Sequence, residues 1–443
     1  HDGGYKYENL ENTYYMNYYE GIYIGYRYYE TRFAGDEEGY RSAVQYPFGY
    51  GLSYTDFEWE ITDYRSNDED ITVNVKVTNT GDRAGKDVAE LYFSAPYYAD
   101  RGIEKSEVEL AAFAKTGVIQ PGQSETVKPS FKVRDMASFD MKSGAYVLDE
   151  GIYELRISTD SHSAVDTLLY TVPLRKTYTS DAVTGAPITA QFTEAAGNIA
   201  YLSRSDWEGT WPNLDNISYT ASDYTAANFK YPLLSGKMAV SVITGAKSKG
   251  VYTYVKHFAV NDQETNRDTN GLITWLSEQS LREIYLRPFE MAVREGGTNA
   301  MMSSFNRIGT VWAGGNYELL TDVLRGEWGF KGMVITDYNT NPYMYPDQMI
   351  RAGGDLDLMQ DKQPSASGDI VTASHQTAIR RAAKNILYTV VNSNAMNGMG
   401  EGIVYGYAMP YWKVAMIAID VVAALALAFW GFMIVRKGKK TAK

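Results

Sequence analysis

Residues 71–79, Ile-Thr-Val-Asn-Val-Lys-Val-Thr-Asn, alternate apolar and polar positions with a period of two. That is the pattern of a strand with one buried face. Asn79-Thr-Gly-Asp82 supplies a turn, and a second alternating run follows at 89–94. Further runs at 127–133 and 151–158 are set apart by turn signals such as Pro121-Gly122. Short strands with regular turns predict an antiparallel sandwich over residues 56–175.

Beyond residue 230 the pattern changes. Residues 233–249 read as a helix and 251–258 as a strand. A helix at 276–295, a strand at 300–305, a helix at 317–328 and a strand at 333–337 follow. A helix at 346–352, a short strand at 355–359 and a long helix at 372–392 complete the series. On 276–295, Leu281, Ile284, Tyr285, Pro288, Phe289 and Ala292 fall broadly on one face. Glu278, Glu283, Glu290 and Glu295 of the same helix are expected to be solvated or to cap it. The alternation predicts parallel β/α architecture, a partial α/β (TIM-type) barrel over residues 230–395. About four strands are present where a closed barrel takes eight. An open half-barrel leaves strand edges unpaired and part of its apolar face uncovered.

Three other stretches complete the domain plan. Residues 1–55 are aromatic and punctuated by glycine and proline, which predicts loops and short strands. Residues 176–229, rich in Thr, Ser, Ala and Asn, read as a linker, in which Trp207 and Trp211 are expected to pack on a neighbour. Residues 396–412 form a second linker. Residues 413–436 are almost wholly apolar and long enough to span a bilayer core of roughly 30 Å. Tyr411, Trp412 and Trp430 suit interfacial positions, and the tail at 437–443 is basic. The fold class is therefore multidomain: an all-β sandwich, a partial barrel and a C-terminal transmembrane helix. The basic flank places the C-terminus in the cytoplasm and the rest outside the cell, as a single-pass protein of the cell membrane. Asp420 within the span must be paired, protonated or near an edge. The competing reading is a buried core helix.

Composition narrows the partners. A net charge of −12 argues against nucleic acid. The absence of cysteine excludes disulfides and thiolate metal sites. No metal cluster or phosphate-cradling glycine loop stands out, so neither metal nor cofactor is expected. Tyrosine is abundant, at 37 residues. Aromatic rings suit sugar faces, although most tyrosines pack in cores and on surfaces. The chain starts at His1 without a signal-peptide pattern and reads as a fragment or a processed product.

The candidate chemistry centres on residues 333–340, Met-Val-Ile-Thr-Asp-Tyr-Asn-Thr. A β-branched apolar run ends in Asp337, and acids at the carboxyl ends of parallel strands sit where barrels keep their chemistry. Capping of the next turn is the alternative role for Asp337.

The neighbours make a specific resemblance. Tyr254-Val-Lys-His-Phe-Ala-Val-Asn-Asp-Gln-Glu-Thr-Asn-Arg267 resembles the lysine-histidine signature of glycoside hydrolase family 3. Residues 277–290 are similar to the family's following helix, 300–306 to its next strand and 320–330 to the helix before its nucleophile. These motifs stand in family order. The resemblance implies that residues 1–55 are the tail of an α/β-sandwich domain and that 56–175 are fibronectin type III-like. The barrel then follows the sandwich domains, an inverted order. Earlier barrel strands are missing between Phe229 and Tyr231, so an upstream segment or a second chain is expected to complete the barrel.

The resemblance also implies a retaining β-glycosidase with Asp337 as nucleophile. Its acid/base glutamate would lie upstream, in a part absent from this chain. Lys256 and His257 are expected to bind sugar hydroxyls, with Arg267 and Met302 as further substrate-binding candidates. Without the motif, Lys256 reads as a structural ion pair and His257 as a core histidine. Phe305 stands where many members have tyrosine, so a hydroxyl near the nucleophile is absent. Ala259-Val-Asn-Asp262 carries no second histidine, which sets aside the N-acetylglucosaminidases. A β-glucosidase or β-xylosidase acting on oligosaccharides or glycosides remains. The alternative is a catalytically incomplete remnant or a carbohydrate-binding surface protein.

Overall fold

The computed structural model describes residues 13–207, 231–339, 343–359, 372–396, 406 and 409–441. Trp211 lies outside them. The chain divides into two compact units, His1–Asn394 and Ala395–Lys443.

The larger unit begins with strand β1 (Tyr15–Asn17) and two short helices, α1 (Tyr26–Arg32) and α2 (Glu37–Ala43). A sandwich follows. One sheet pairs β2 (Phe57–Ser66) with β3 (Asp70–Asn79), and β3 with β6 (Ser124–Val127) and β7 (Ser130–Lys132). The other contains β4 (Val88–Ser94), β5 (Glu109–Lys115), β10 (Gly151–Ser158) and β11 (Ala164–Val172) in the order β11-β10-β4-β5. All these pairings are antiparallel. The period-two pattern is realised: Ile71, Val73, Val75 and Val77 are fully buried between the sheets. The run expected at 127–133 is broken because Pro129 has no N–H for a ladder. Its carbonyl still accepts from Val73 N, 3.1 Å away, so both halves stay on β3. A three-stranded sheet of β8 (Ser138–Asp140), β9 (Ala145–Leu148) and β12 (Lys176–Tyr178) lies beside the sandwich in sequence.

Helix α3 (Pro232–Lys247) leads into the parallel sheet: β13 (Val255–Phe258), β15 (Ala300–Ser303), β18 (Met333–Tyr338) and β19 (Leu356–Leu358), paired in that order. Every pairing is parallel. A smaller sheet holds β1, β14 (Ile273–Trp275), β16 (Arg307–Ile308) and β17 (Val311–Trp312). The N-terminal segment thus contributes a strand to the second half of the chain: Tyr15–Asn17 runs parallel to Ile273–Trp275. Crossovers are α4, a helical run of Glu278–Ser280, Leu281–Leu286 and Arg287–Arg294, and α5 (Glu318–Glu327). Then come α6 (Pro346–Ala352) and α7 (Ala373–Val391). The long apolar runs of α4 and α5 are buried because both faces of this sheet region need cover. Among the described residues β13 and β19 each pair on one side alone. Leu356 and Leu358 of β19 are exposed, as expected of an open sheet.

The strand starts are fixed from α7. Thr389 Oγ1 donates to Asn299 O at 2.8 Å and accepts from Met333 N at 3.0 Å. Gly332 is required here, since a Cβ would meet the Asn299 backbone.

The glutamates of α4 differ from expectation. Glu278 is 1% exposed and accepts from Gln191 N and Phe192 N. Glu283 accepts from Phe139 N at 2.7 Å, and Glu290 pairs with Arg287 and Arg294. For Glu278 and Glu283 the reason is tertiary: residues 181–202 and the β8 region pack on this helix, and these carboxylates satisfy their backbone donors. Glu295, just past the helix, is exposed as expected. Trp207 packs as expected, edge-on to Tyr23 and Tyr28.

These buried acids make stability depend on pH. Burial pushes Glu90, which also faces Asp160 and Asp87, up to about 7. Burial and the Glu109 charge raise Glu283 to about 7. For His162 burial works against the charged form, but hydrogen bonds to Glu30 and Glu37 raise its pKa overall. A raised folded-state pKa adds stability that is complete below the unfolded pKa and is lost as pH rises through the folded one. All three groups therefore favour mildly acidic conditions. On the acid side Glu290 is lowered, because Arg287 and Arg294 outweigh its burial, and its contribution fades as pH falls through its depressed pKa. The urea midpoint is expected to be higher at about pH 5 than at about pH 8. An equal or higher midpoint at the alkaline value would refute this.

The second unit is dominated by α8 (Tyr411–Thr441). Its segment Tyr411–Ile434 has a mean hydropathy of 2.3 and the length to cross a membrane.

Candidate active site

Asp337 occupies the carboxyl end of β18, where alternation along the strand sets it on the side of Ile335. Its side chain is 12% exposed. Oδ1 accepts from the next backbone N–H, Tyr338 N, at 2.8 Å. Oδ2 faces two nitrogen groups: His257 Nε2 at 3.3 Å and Arg267 Nη1 at 3.5 Å.

His257 belongs to β13, two strands away. The ladder between β13 and β15 is irregular there, pairing Val255 with Met301 and Phe258 with Ser303. Peptide bonds Lys256–His257 and Phe258–Ala259 are cis. Burial lowers the His257 pKa, and the positive charges of Lys256 and Arg267 lower it further against the pull of Asp337. The imidazole is thus neutral at neutral pH and can donate one N–H while accepting at its other nitrogen.

Arg267 is held on several sides. Its Nε pairs with Glu264 at 2.7 Å, and Nη1 donates to Asn261 Oδ1 at 3.0 Å. The guanidinium lies 4.8 Å from the centre of the Phe305 ring, a cation–π contact. Phe305 thus provides a floor for Arg267 in place of a hydroxyl. Tyr343 donates to Arg267 O at 3.2 Å and to Phe305 O at 3.0 Å.

Lys256 is exposed and makes no hydrogen bond or ion pair among the described residues. The structure therefore brings His257 and Arg267 to Asp337 and leaves Lys256 in solvent near them. Met302 is half-buried on β15 opposite Ile335, on the same sheet face as Asp337. Asn261, Glu264 and Tyr343 were not singled out from sequence. The three-residue spacing of Glu264 and Arg267 was the available signal, because such pairs meet on a turn. Tyr343 follows a Pro in a loop and gave none.

No group of three or more His, Cys, Asp or Glu side chains suited to a metal occurs among the described residues. The arrangement supplies one carboxylate, one neutral imidazole and one fixed cation. Together these can present a nucleophile and hydrogen-bond donors to a neutral polyol.

Comparisons with known proteins match two stretches of the chain. The profile described as "Glycosyl hydrolase family 3 N terminal domain" matches residues 227–384, and "Fibronectin type III-like domain" matches 87–161. A β-glucosidase of Ruminococcus albus is 26% identical over 548 residues, covering 88% of this chain and 56% of that protein. β-Glucosidase B of Emericella nidulans is 45% identical over 129 residues, 29% of this chain and 15% of that protein. The solved structure of a β-glucosidase from Paenibacillus barengoltzii matches with a TM-score of 0.69 at 23% identity. It covers 88% of this chain and 60% of that one, and shows a shared fold. These matches define a protein with a glycosyl hydrolase β/α domain behind a fibronectin type III-like sandwich. Residues 227–384 thus match the N-terminal domain of glycoside hydrolase family 3, and the β-glucosidase relatives support that family for the chain. It spans 56% of the R. albus relative and 60% of the P. barengoltzii chain.

Proposed function

We propose that this chain is part of a retaining β-glycosidase of the β-glucosidase or β-xylosidase type, with Asp337 as nucleophile. It would remove terminal β-linked sugars from oligosaccharides or glycosides. The observation that carries the reading is Asp337 at a parallel-strand end with His257 and Arg267 at 3.3 and 3.5 Å. Retaining hydrolysis needs a second carboxyl about 5 Å from the nucleophile, and that acid/base is proposed to come from upstream sequence or a second chain that also completes the barrel. Asp337 attacks the anomeric carbon as the bond to the leaving oxygen breaks. His257, Arg267, Lys256 and Met302 are assigned to the substrate: the first three hydrogen-bond to hydroxyls, and Met302 contacts the ring's apolar edge.

An activated aryl glucoside tests this without the acid. Dinitrophenolate leaves unprotonated, so the first step needs Asp337 alone, whereas release of the sugar from Asp337 awaits a base. The expected result is a burst of dinitrophenolate equal to the amount of chain, followed by a slow phase, with the sugar mapped to Asp337 by peptide mass. Absence of any burst would favour the second reading, a catalytically incomplete remnant or carbohydrate-binding surface protein. The sheet of four strands supports that alternative.

The segment Tyr411–Ile434 is proposed to cross the cell membrane once, with the basic tail in the cytoplasm and the site outside. The chain is expected to stay with membranes through alkaline carbonate extraction, and a chain ending before Tyr411 to be released. Extraction of the full chain would sink the proposal.

A further inference from the structure

The turn joining His257 to Arg267 is buried at Ala259 and Val260, and Val260 adopts φ 56. A β-branched residue enters the left-handed region when its surroundings hold it there. The residues that follow strand β15 supply one side of the hold: Ser304 Oγ donates to Ala259 O at 2.6 Å and Asn306 Nδ2 to Gln263 O at 3.2 Å. The other side comes from the N-terminal segment, more than 240 residues away in sequence. The Tyr18 hydroxyl, fully buried, donates to Val260 O at 3.4 Å, and the backbone N–H groups of Asp262 and Gln263 face its oxygen. One hydroxyl thus sits at the hub of the turn.

Tyr18 is itself fixed. Its N–H donates to Trp275 O at 3.0 Å, directly after β1 pairs with β14. Its ring stacks on Tyr285 at 4.9 Å, and Tyr285 donates to Glu20 at 3.2 Å. None of these groups touches Asp337, but the turn they secure carries both side chains that do.

We propose that Tyr18 is a positioning residue: its hydroxyl holds the left-handed turn at Val260, and so sets His257 and Arg267 beside Asp337. The functional meaning rests on the glycosidase reading, whereas the positioning itself is measurable without turnover.

The test follows the four histidines of the full chain, labelled with ¹⁵N in detergent micelles, with His257→Gln to assign one signal. Tyr18→Phe removes the hydroxyl and keeps the stacked ring. In that variant the turn relaxes, His257 gains water, and its titration midpoint moves up by about half a unit or more toward the ordinary histidine value. Adding Val260→Gly should reverse most of the shift, because glycine keeps a left-handed backbone unaided. His162 and His375 should titrate as in the parent chain. A His257 titration unchanged in Tyr18→Phe would overturn the proposal, as would a shift that Val260→Gly does not reduce. Movement of all the signals to unfolded positions would also overturn it, since Tyr18 would then be a general structural residue. A missing dinitrophenolate burst, by contrast, would count against Asp337 as nucleophile and leave the role of Tyr18 standing.

Discussion

Asp337→Ala is expected to abolish the dinitrophenolate burst, slowing its rate by roughly 10⁴-fold or more, the scale on which enzymes lose rate without their nucleophile. The stereochemistry of azide products gives a sharper outcome. In the parent chain azide attacks a sugar already inverted once at Asp337, so a β-glycosyl azide forms and the slow phase accelerates. In Asp337→Gly azide fills the space of the carboxylate and attacks the substrate directly, giving the α-glycosyl azide by one inversion. Both products balance: the aryl oxygen leaves with the bonding pair, and azide supplies the new bond to the anomeric carbon. A burst surviving Asp337→Ala, or the β product from Asp337→Gly, would remove Asp337 from the nucleophile's role. His257 enters the same experiment through its charge state. Its lowered pKa keeps the imidazole neutral, so it does not add a full charge beside the carboxylate. Arg267 provides a positive charge held against Asp337, already shared with Glu264, while Lys256 adds a second one from solvent.

The sandwich strand at 71–79 was legible because one of its faces is buried and the other wet, which leaves a period of two in the sequence. Strand β18 was legible as a short apolar run ended by an acid. The N-terminal contribution was not. Tyr15–Asn17 is a strand of three residues with no periodic signal, and it exists because the backbone of Ile273–Trp275 offers a parallel edge. Such pairing is written in neither segment alone. The same holds for the site. The motif around Lys256 and His257 named its residues, but motif order does not tell which of them turns inward. His257 reaches Asp337 and Lys256 stands in solvent. The helix glutamates were misread for a related reason. Their spacing on α4 looked like that of a solvated face, and it took the packing of residue 191 and of β8 on that helix to make acceptors of Glu278 and Glu283, while Glu290 pairs with arginines of its own helix.

That packing gives the expected result of largest effect on stability. Arg282 is buried, with side-chain exposure of 2%. It pairs with Glu278 at 2.9 Å and with Glu327 at 2.8 Å, both nearly buried, and lies 4.6 Å over the Phe139 ring. It also donates to Thr189 O at 3.2 Å. One guanidinium therefore ties α4 to α5, to residue 189 of the connecting segment and to β8. Arg282→Met keeps much of the volume and leaves two carboxylates without their cation. Removing one partner of a buried pair costs about 3–5 kcal/mol, because the charge left behind is stranded in a poorly solvated place. The chain carrying Arg282→Met is expected to show a urea midpoint reduced accordingly. Restoring neutrality should recover part of the loss: with Glu327→Gln added, a single carboxylate remains, and Glu278 still accepts from Gln191 N and Phe192 N. The cycle of single and double variants reads the coupling directly. A loss below about 1 kcal/mol in Arg282→Met, the value of an exposed pair, would mean that water reaches these groups and that the segment around Gln191 is not closed over α4.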